Sequence, residues 1–510
     1  MDTTQSTYNK IKSNEAEYCG KVPLHQTNQI QPHGVLLVLE KKTLNVLQAS
    51  ENTEQLFGIK VTSMVNAPLV SFVSSRHIQT LQERLGQSIE ARLPLLVTIN
   101  KIDFLMMVNA FETYLIAEFE KVETKSEQNS FVDIYHEVKY AMAEIDKMTT
   151  THEACQVIAK ELKRISGFDK VMIYQFDTDW NGEVVAEAMD EDIESYLGLK
   201  FPASDIPPQA RELYKKTPYR FIPNIDYVPV KLYPVINPLT GAFIDLTNSS
   251  LRSVAAIHLE YLKNMDVSAS MSTRILKDGL LWGLISCHHR TPKYVSYQVR
   301  SLFEMLSSLI TSKITAVQNA DIFEYKSRTH ARLNKVMEDI YRKNDLVGGF
   351  VEQFEEVHSI LQSDGIAVSS NNQIEIFGNT PSKDEVEDLI FWLQANNVQQ
   401  VYHQPALSTV FDNALHYTDV ASGLLALPIH ADKGFFVLAF RKEAVQHINW
   451  GGNPNEAVQF EKNGTNYHPR NSFKLWQETV YNKSNPWRQE ELEMADHFRN
   501  LLIAYVLHKS

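Results

Sequence analysis

The chain has 510 residues, 44% hydrophobic and 22% charged, with a net charge of -13. That length predicts three or four domains of roughly 100–200 residues each, and the acidic balance gives no electrostatic footing for nucleic acid. Three cysteines, Cys19, Cys155 and Cys287, are too few and too scattered for a disulfide framework or a thiolate zinc site. The opening "MDTTQSTYNK" lacks the apolar core of a secretory signal, and "LLIAYVL" at 501–507 falls far short of the ~20 residues of a membrane helix. The expectation is a cytoplasmic protein without a membrane partner.

In chain order, the first oddity is Cys19 in "EAEYCGKVPLH", a lone thiol beside a polar N-terminus and a poor core residue. "VLLVL" at 35–39 and the following "KKTLNVLQAS" predict two strands around a turn, and "YLIAEFE" at 114–120 alternates like an edge or half-buried strand. The polar "KVETKSEQNS" at 121–130 predicts a linker, which bounds a first α+β unit at 1–125. A helix is expected over 131–166, ended by Gly167 as a C-cap. "KVMIYQF", "VVAEA" and "LWGLISCHH" predict strands of a second unit over 126–315.

No glycine or proline occurs between Pro292 and Gly348, and Leu302, Leu306, Leu309, Ile310 and Val317 recur at helical spacing. Either one helix of about 45 residues, nearly 70 Å long, or two helices with a polar joint near Gln318–Asp321 fits this pattern. A third α/β unit follows over 316–510. It carries an aromatic-rich insertion at about 448–478, too long for a passive loop, and closes on the amphipathic "EELEMADHFRNLLIAYVLHKS", which looks cut from something longer.

Catalytic signatures are missing: no phosphate loop, no H-E-x-x-H and no nucleophile elbow are present. His288 and His289 are adjacent on an expected strand, so they point to opposite faces and cannot chelate one metal together. In "FPASDIPPQARELY", Asp205 reads as an N-cap before first-turn prolines, yet the stretch also gathers Phe201, Arg211 and Tyr214, groups suited to a pocket wall. Arg220 in "PYRF" and Arg252 in "SLRS" are either exposed cations or a clamp for a carboxylate or phosphate. Ser270 and Ser272 share a strand face. His258 and His288 read as histidines on apolar strands, and Arg470 as a loop arginine in the insertion.

Together "IQPHG" at 30–34, "FPASDIPPQAR" at 201–211, "LRSVAAIHLEYLKNM" at 251–265, "WGLISCHH" from 282 and "PRNSF" at 469–473 resemble the photosensory module of bacteriophytochromes, PAS–GAF–PHY red/far-red light receptors. The resemblance spans essentially the whole chain, with the family's order and spacing. It implies an α+β fold of three tandem PAS/GAF-like domains, each a central antiparallel sheet flanked by helices. A long helical spine would join them, and a "tongue" insertion would sit in the third. It also implies a figure-of-eight knot in which the segment at Ile30 threads a lasso around 225–250.

The implied cofactor is biliverdin, thioether-linked to Cys19. Plant and cyanobacterial relatives anchor their bilin at the position that is Ile257 here, so that anchor is missing. The resemblance assigns Arg220 and Arg252 to one propionate, and Ser270 and Ser272, with Tyr214 nearby, to the other. Asp205 and His258 would meet the pyrrole nitrogens, beside Ile206 and Pro207. Tyr174, Phe201 and Tyr261 would line the D-ring, with His288 at its carbonyl. Light would isomerise the bond between rings C and D. The switch would be Asp205, paired with Arg470 in the red-absorbing state and with Ser472 once the tongue turns from hairpin to helix.

Expected partners are the bilin, a second copy in a parallel homodimer, and a C-terminal output domain or response regulator. No histidine-kinase box or diguanylate-cyclase signature is present, so no catalytic turnover is expected of these residues. One departure is Asp266, where family members usually carry glycine; it would put a negative charge near the propionates. The competing expectation is a GAF-type sensor of a cyclic nucleotide or small anion, which leaves Cys19, His258 and the tongue motif unused.

Overall fold

The computed structural model describes residues 24–86, 93–122, 131–370, 373–456, 458–460 and 467–509. Cys19 and most of the expected linker lie outside the described residues. The chain divides into two compact units, 1–315 with 449–476, and 316–448 with 477–510.

The first unit opens on a seven-stranded antiparallel sheet in the order Gln29–Ile30, Val230–Tyr233, Val46–Ser50, Gly34–Glu40, Tyr114–Lys121, Ile102–Ala110, Leu93–Ile99. The second of these strands comes from some 200 residues downstream of the first, the region expected to form a lasso. Ile30 pairs with Val230 on one side and bridges to Arg252 on the other. The Gln31 side chain donates to the Phe221 carbonyl at 3.0 Å, fixing the same segment from a third direction.

Tyr114–Lys121 corrects the expectation of an edge or half-buried strand: it lies inside the sheet and is buried on both faces. Its alternating glutamates are not solvent-facing. Glu118 accepts from the Leu251 N–H and the Ser250 hydroxyl, both at 3.0 Å. Glu120 takes both arms of the fully buried Arg300 guanidinium (3.1 and 2.5 Å) and the Tyr294 hydroxyl (2.8 Å). Burial alone would raise the Glu120 carboxyl, but Arg300, His33 and Tyr294 outweigh it and hold it near 2. A charge-paired interior face has the same period as a solvated one, which is why alternation misled here.

The expected helix over 131–166 is two helices, Phe131–Lys147 and Thr151–Ser166. Thr150 caps the second with its side chain on the Glu153 N–H, and Glu153 returns the bond, a capping box that starts a new helix. Gly167 ends it in the left-handed conformation (φ 64°), as expected. The segment after Pro292 forms one continuous helix of 47 residues, Tyr297–Lys343, without a joint at Gln318–Asp321.

A second sheet of this unit runs Tyr219–Ile222, Ala269–Lys277, Leu280–His289, Lys170–Phe176, Gly182–Met189, Lys200–Phe201, and continues into the insertion strands Gln446–Gly451 and Leu475–Val480. One of its faces, carrying Val171, Ile173, Phe221, Met271, Ile285 and Cys287, packs on helix residues such as Ile158, Leu162, Phe303 and Ile310. In the second unit a five-stranded sheet has Ile340, Phe498 and Leu502 in one core cluster and Leu389, Leu393 and Phe440 in another.

Asp266 follows the helix Ala256–Asn264 and sits at φ 58°, the left-handed region that glycine occupies without cost. It is exposed, so its charge is at the helix end rather than in the interior. Both the backbone conformation and an anion at the negative end of a helix disfavour it. Asp266→Gly should therefore stabilise the protein by about 1 kcal/mol, read as a higher urea midpoint; an unchanged or lower midpoint would contradict this account.

Candidate functional site

The second face of the sheet borders a cavity of about 380 Å³. Period-two alternation decides which side chains reach it. Arg220 lies opposite Ser272, Ser272 opposite Ser286, and Ser286 opposite Met172, so four strands contribute one row to one face. Ser270 opposite His288 forms the next row. Tyr174 completes the floor, and the remaining walls come from 201–217 and 249–265.

Of the residues singled out from sequence, Tyr174, Phe201, Asp205, Ile206, Pro207, Tyr214, Arg220, Arg252, His258, Tyr261, Ser270, Ser272 and His288 all line this cavity. His258 does so from the helix Ala256–Asn264, not from the strand expected for it. Arg211 does not join them: it is buried against the Trp180 ring at 4.5 Å. Asp205 is not an N-cap either. Pro207 takes the N-cap position of Pro208–Lys216, which leaves the Asp205 carboxylate free for other partners.

The polar groups sort along the cavity. Arg220 donates to the Arg252 carbonyl, and Nη1 of each arginine has no hydrogen bond. Burial, then the neighbouring Arg220 charge, pushes the Arg252 guanidinium down to about 9. Tyr214 and Ser272 line the cavity beside this pair. His258 lies between the arginines and His288: burial and then Arg220 lower it to about 4, while burial, Lys170 and His258 lower His288 to about 3. Both imidazoles are therefore neutral at neutral pH, and Nε2 of His288 is 3.3 Å from the Ser286 hydroxyl.

At the other end Asp205 forms an ion pair with Arg470 of the insertion and accepts from the Tyr261 hydroxyl at 2.8 Å. Burial raises the Asp205 carboxyl above its ordinary value even against Arg470 and Tyr261. The guanidinium is 2% exposed and lies over the rings of Phe201 (5.4 Å) and Phe473 (5.0 Å). Ser472 is exposed and does not meet Asp205.

Sequence reading missed several participants. Gly451 lets the insertion approach, since a Cβ there would stand 2.8 Å from the Phe201 ring, and Gly452 (φ 91°) lets its two limbs close, since a Cβ there would stand 2.1 Å from the Ser472 carbonyl. The paired glycines after Trp450 were the available signal. Ser286, Met172 and Tyr196 also line the cavity, and the first two were legible only through cross-strand register. Cys155 and Cys287 are buried away from it, their thiols pushed up by burial, Cys155 to about 12. Among the described residues no group of three or more His, Cys, Asp or Glu is placed to hold a metal, and no helix is long and apolar enough to cross a membrane.

Comparison with known proteins matches three family models in succession: a PAS fold over residues 19–122, a GAF domain over 150–314 and a phytochrome region over 329–510. Cyanobacterial phytochrome B of Nostoc sp. is 38% identical over 498 residues, covering 96% of this chain; the chain spans 66% of that relative's length. The crystal structure of a bacteriophytochrome from the photosynthetic bacterium R. palustris superposes with a TM-score of 0.87 at 35% identity, covering 97% of this chain and 100% of that one. The phytochrome photosensory core module of Stigmatella aurantiaca gives 0.84 at 34% identity, covering 96% and 98%. With the ordered motifs and the cavity on one face of the second sheet, these likenesses establish that the chain belongs to the bacteriophytochrome family and carries its PAS–GAF–PHY light-sensing module.

Proposed function

We propose that this module senses red and far-red light through biliverdin held in the cavity and tethered to Cys19, with domains at 1–125, 126–315 and 316–510. The observation that carries the reading is the cavity's division of labour. It is mainly apolar, and its two guanidiniums, Arg252 buried and Arg220 partly buried, each keep a buried Nη1 without a hydrogen bond and have no carboxylate ion-pair partner among the described residues. Buried cations without counter-charge are costly, and a long apolar ligand with carboxylates supplies what is missing. A small anion or cyclic nucleotide would use Arg220 and Arg252 but leave the aromatic end at Tyr174, Phe201 and Tyr261 without purpose.

In this reading Arg220 and Arg252 bind one propionate and Ser270, Ser272 and Tyr214 orient the other. His258 and His288, uncharged, each offer one donor and one acceptor nitrogen to the ligand's polar edge. Ile206, Pro207, Tyr174, Phe201 and Tyr261 exclude water. Ile257 lines the cavity without a reactive group, and the thiols of Cys155 and Cys287 are kept protonated by burial, so Cys19 is the remaining anchor. Bound biliverdin would supply a light-driven Z/E isomerisation at its D-ring.

The protein's own response is then the Asp205–Arg470 pair. Removing one partner of a buried pair costs about 3–5 kcal/mol, and moving a two-state element from 1:99 to 99:1 takes about 5.5 kcal/mol, so exchange of this contact supplies most of a switch. Asp205, whose carboxyl burial already raises, would need a new donor once Arg470 left; Ser472, two residues on, is the proposed one. Tongue rearrangement would bear on the long helix Tyr297–Lys343 and the terminal helix Gln489–Lys509. A parallel homodimer and a C-terminal output domain, most simply a histidine kinase, would receive the signal, while these residues themselves turn nothing over.

Mixed with biliverdin, the protein should develop a red absorption band that converts reversibly under red and far-red light. Cys19→Ser should lose the colour that survives denaturation; absence of any red band would return the small-anion sensor. Arg220→Ala and Arg252→Ala should each weaken biliverdin uptake about 10–100-fold, the worth of a charge-assisted hydrogen bond, in a titration followed by absorbance. Arg470→Ala should keep the red band but reduce photoconversion to less than half of wild type. Full conversion in that variant would remove the ion pair from the switch.

A further inference from the structure

One buried charge beside the cavity has no role in this account. Lys170 is 3% exposed and does not line the cavity, yet it stands directly opposite His288 on the neighbouring strand and so shares its face. Its ammonium donates to the Glu194 carbonyl, lies 3.4 Å from the Glu187 carboxylate, and sits 3.7 Å from the centre of the Tyr196 ring. Glu187, also buried, accepts from the Ser195 hydroxyl at 2.5 Å and from the Tyr196 N–H at 3.1 Å. The Gln156 side chain in turn holds the Glu187 carbonyl at 2.9 Å.

The consequence is geometric. Residues 190–199 run from one strand to the next with no helix or sheet of their own, yet they place Tyr196 in the cavity wall and edge-on to Phe201, ring centres 5.9 Å apart. Phe201 is the same ring that Arg470 covers. A buried ammonium stacked on an aromatic face and satisfied by a carboxylate and a carbonyl is a rigid clamp, and this one joins the strand of Tyr174 to the segment of Tyr196.

We propose that Lys170 is a positioning residue of the photosensory site, clamping 190–199 so that Tyr196 forms a fixed wall and setting the electrostatics at His288. The titratable groups acting on His288 are Lys170 from the adjacent strand and His258 from the helix Ala256–Asn264, with Glu187 beyond Lys170. A cation on the neighbouring strand, directly opposite, disfavours a second positive charge on the imidazole. The clamp itself stands on the protein alone, whereas its effect on photoconversion rests on the biliverdin reading.

The test uses the purified chain with and without biliverdin, in Lys170→Met and Lys170→Arg. Without biliverdin, the His288 imidazole followed by NMR should titrate at least about 1 pH unit higher in Lys170→Met and return towards wild type in Lys170→Arg. With biliverdin, Lys170→Met should keep the red band and lose at least about half of its photoconversion, by the same loss of fixed geometry that makes a small misplacement costly at a reacting centre. Unchanged titration and unchanged conversion would overturn the proposal. If wild-type protein takes up no biliverdin, the functional reading fails while the titration still decides the clamp. Should Lys170→Met not fold, Lys170→Met/Glu187→Gln removes the orphaned carboxylate and keeps the Ser195 and Tyr196 bonds. A folded double variant with wild-type photoconversion would equally sink the role of Lys170.

Discussion

The ion pair between Asp205 and Arg470 is the contact on which the arrangement of the site depends. The two residues are 265 positions apart and both buried, so neither charge is tolerable without the other. Asp205 has no capping duty, and the Arg470 guanidinium is covered on its planar faces by Phe201 and Phe473. The insertion reaches this position because Gly451 carries no side chain to meet the Phe201 ring, because Gly452 lets the two limbs of the insertion close on each other, and because Trp450 pairs with Lys200. The insertion is also held by Phe473, which joins the apolar cluster of Tyr174 and Phe201, by His468 at 2.9 Å from Glu260, and by Asn264, which donates to the Arg470 carbonyl at 3.2 Å.

The sheet behind the cavity imposes the second constraint. Its two faces face different environments, one a helix-packed core and one a cavity, and the alternation of strands makes that division strict. Cys287 points into the core and His288 into the cavity because they are neighbours, and His289 turns back to Asp169 at 2.7 Å. A one-residue slip would exchange the arginine and serines for Met271, Phe221 and other core residues, so packing on the closed face fixes the position of every polar group on the open one.

Much of the site was legible because its residues occur in short runs whose order and spacing resemble a known family. The runs 201–214 and 251–265 bring most of the wall in two pieces. What the sequence hid was what depends on pairing between distant strands. Ser286 and Met172 join the cavity only through their register with Ser272, and Tyr196 through a buried lysine on another strand. The strand Tyr114–Lys121 looked half-exposed because Glu118 and Glu120 alternate with apolar residues, and only their partners, Ser250, Leu251, Arg300 and Tyr294, mark that face as interior. His258 looked like a strand residue because its flanks are apolar on both sides, which a short helix between cavity and core equally requires. The helix over 131–166 concealed its break because a capping box uses residues that are also common within helices.

The strand Tyr219–Ile222 joins these observations. Arg220 faces the cavity, while the flanking rings of Tyr219 and Phe221 turn to the other side and lie 5.7 and 5.1 Å from the guanidinium of Arg300. Arg300 belongs to the first turn of the 47-residue helix and is bonded to Glu120 of the first sheet. The cation that borders the cavity and the rings that seat the base of the long helix are thus successive residues of one strand. His33 of the threaded segment has its ring centre 5.9 Å from that of Phe221 and 6.2 Å from that of Tyr294, and burial keeps it neutral, lowering it to about 4. A neutral imidazole there adds no charge to the Arg300–Glu120 pair. The strand thus links the cavity wall to the base of the long helix through consecutive residues of one backbone, Arg220 on one face and the rings beside Arg300 on the other.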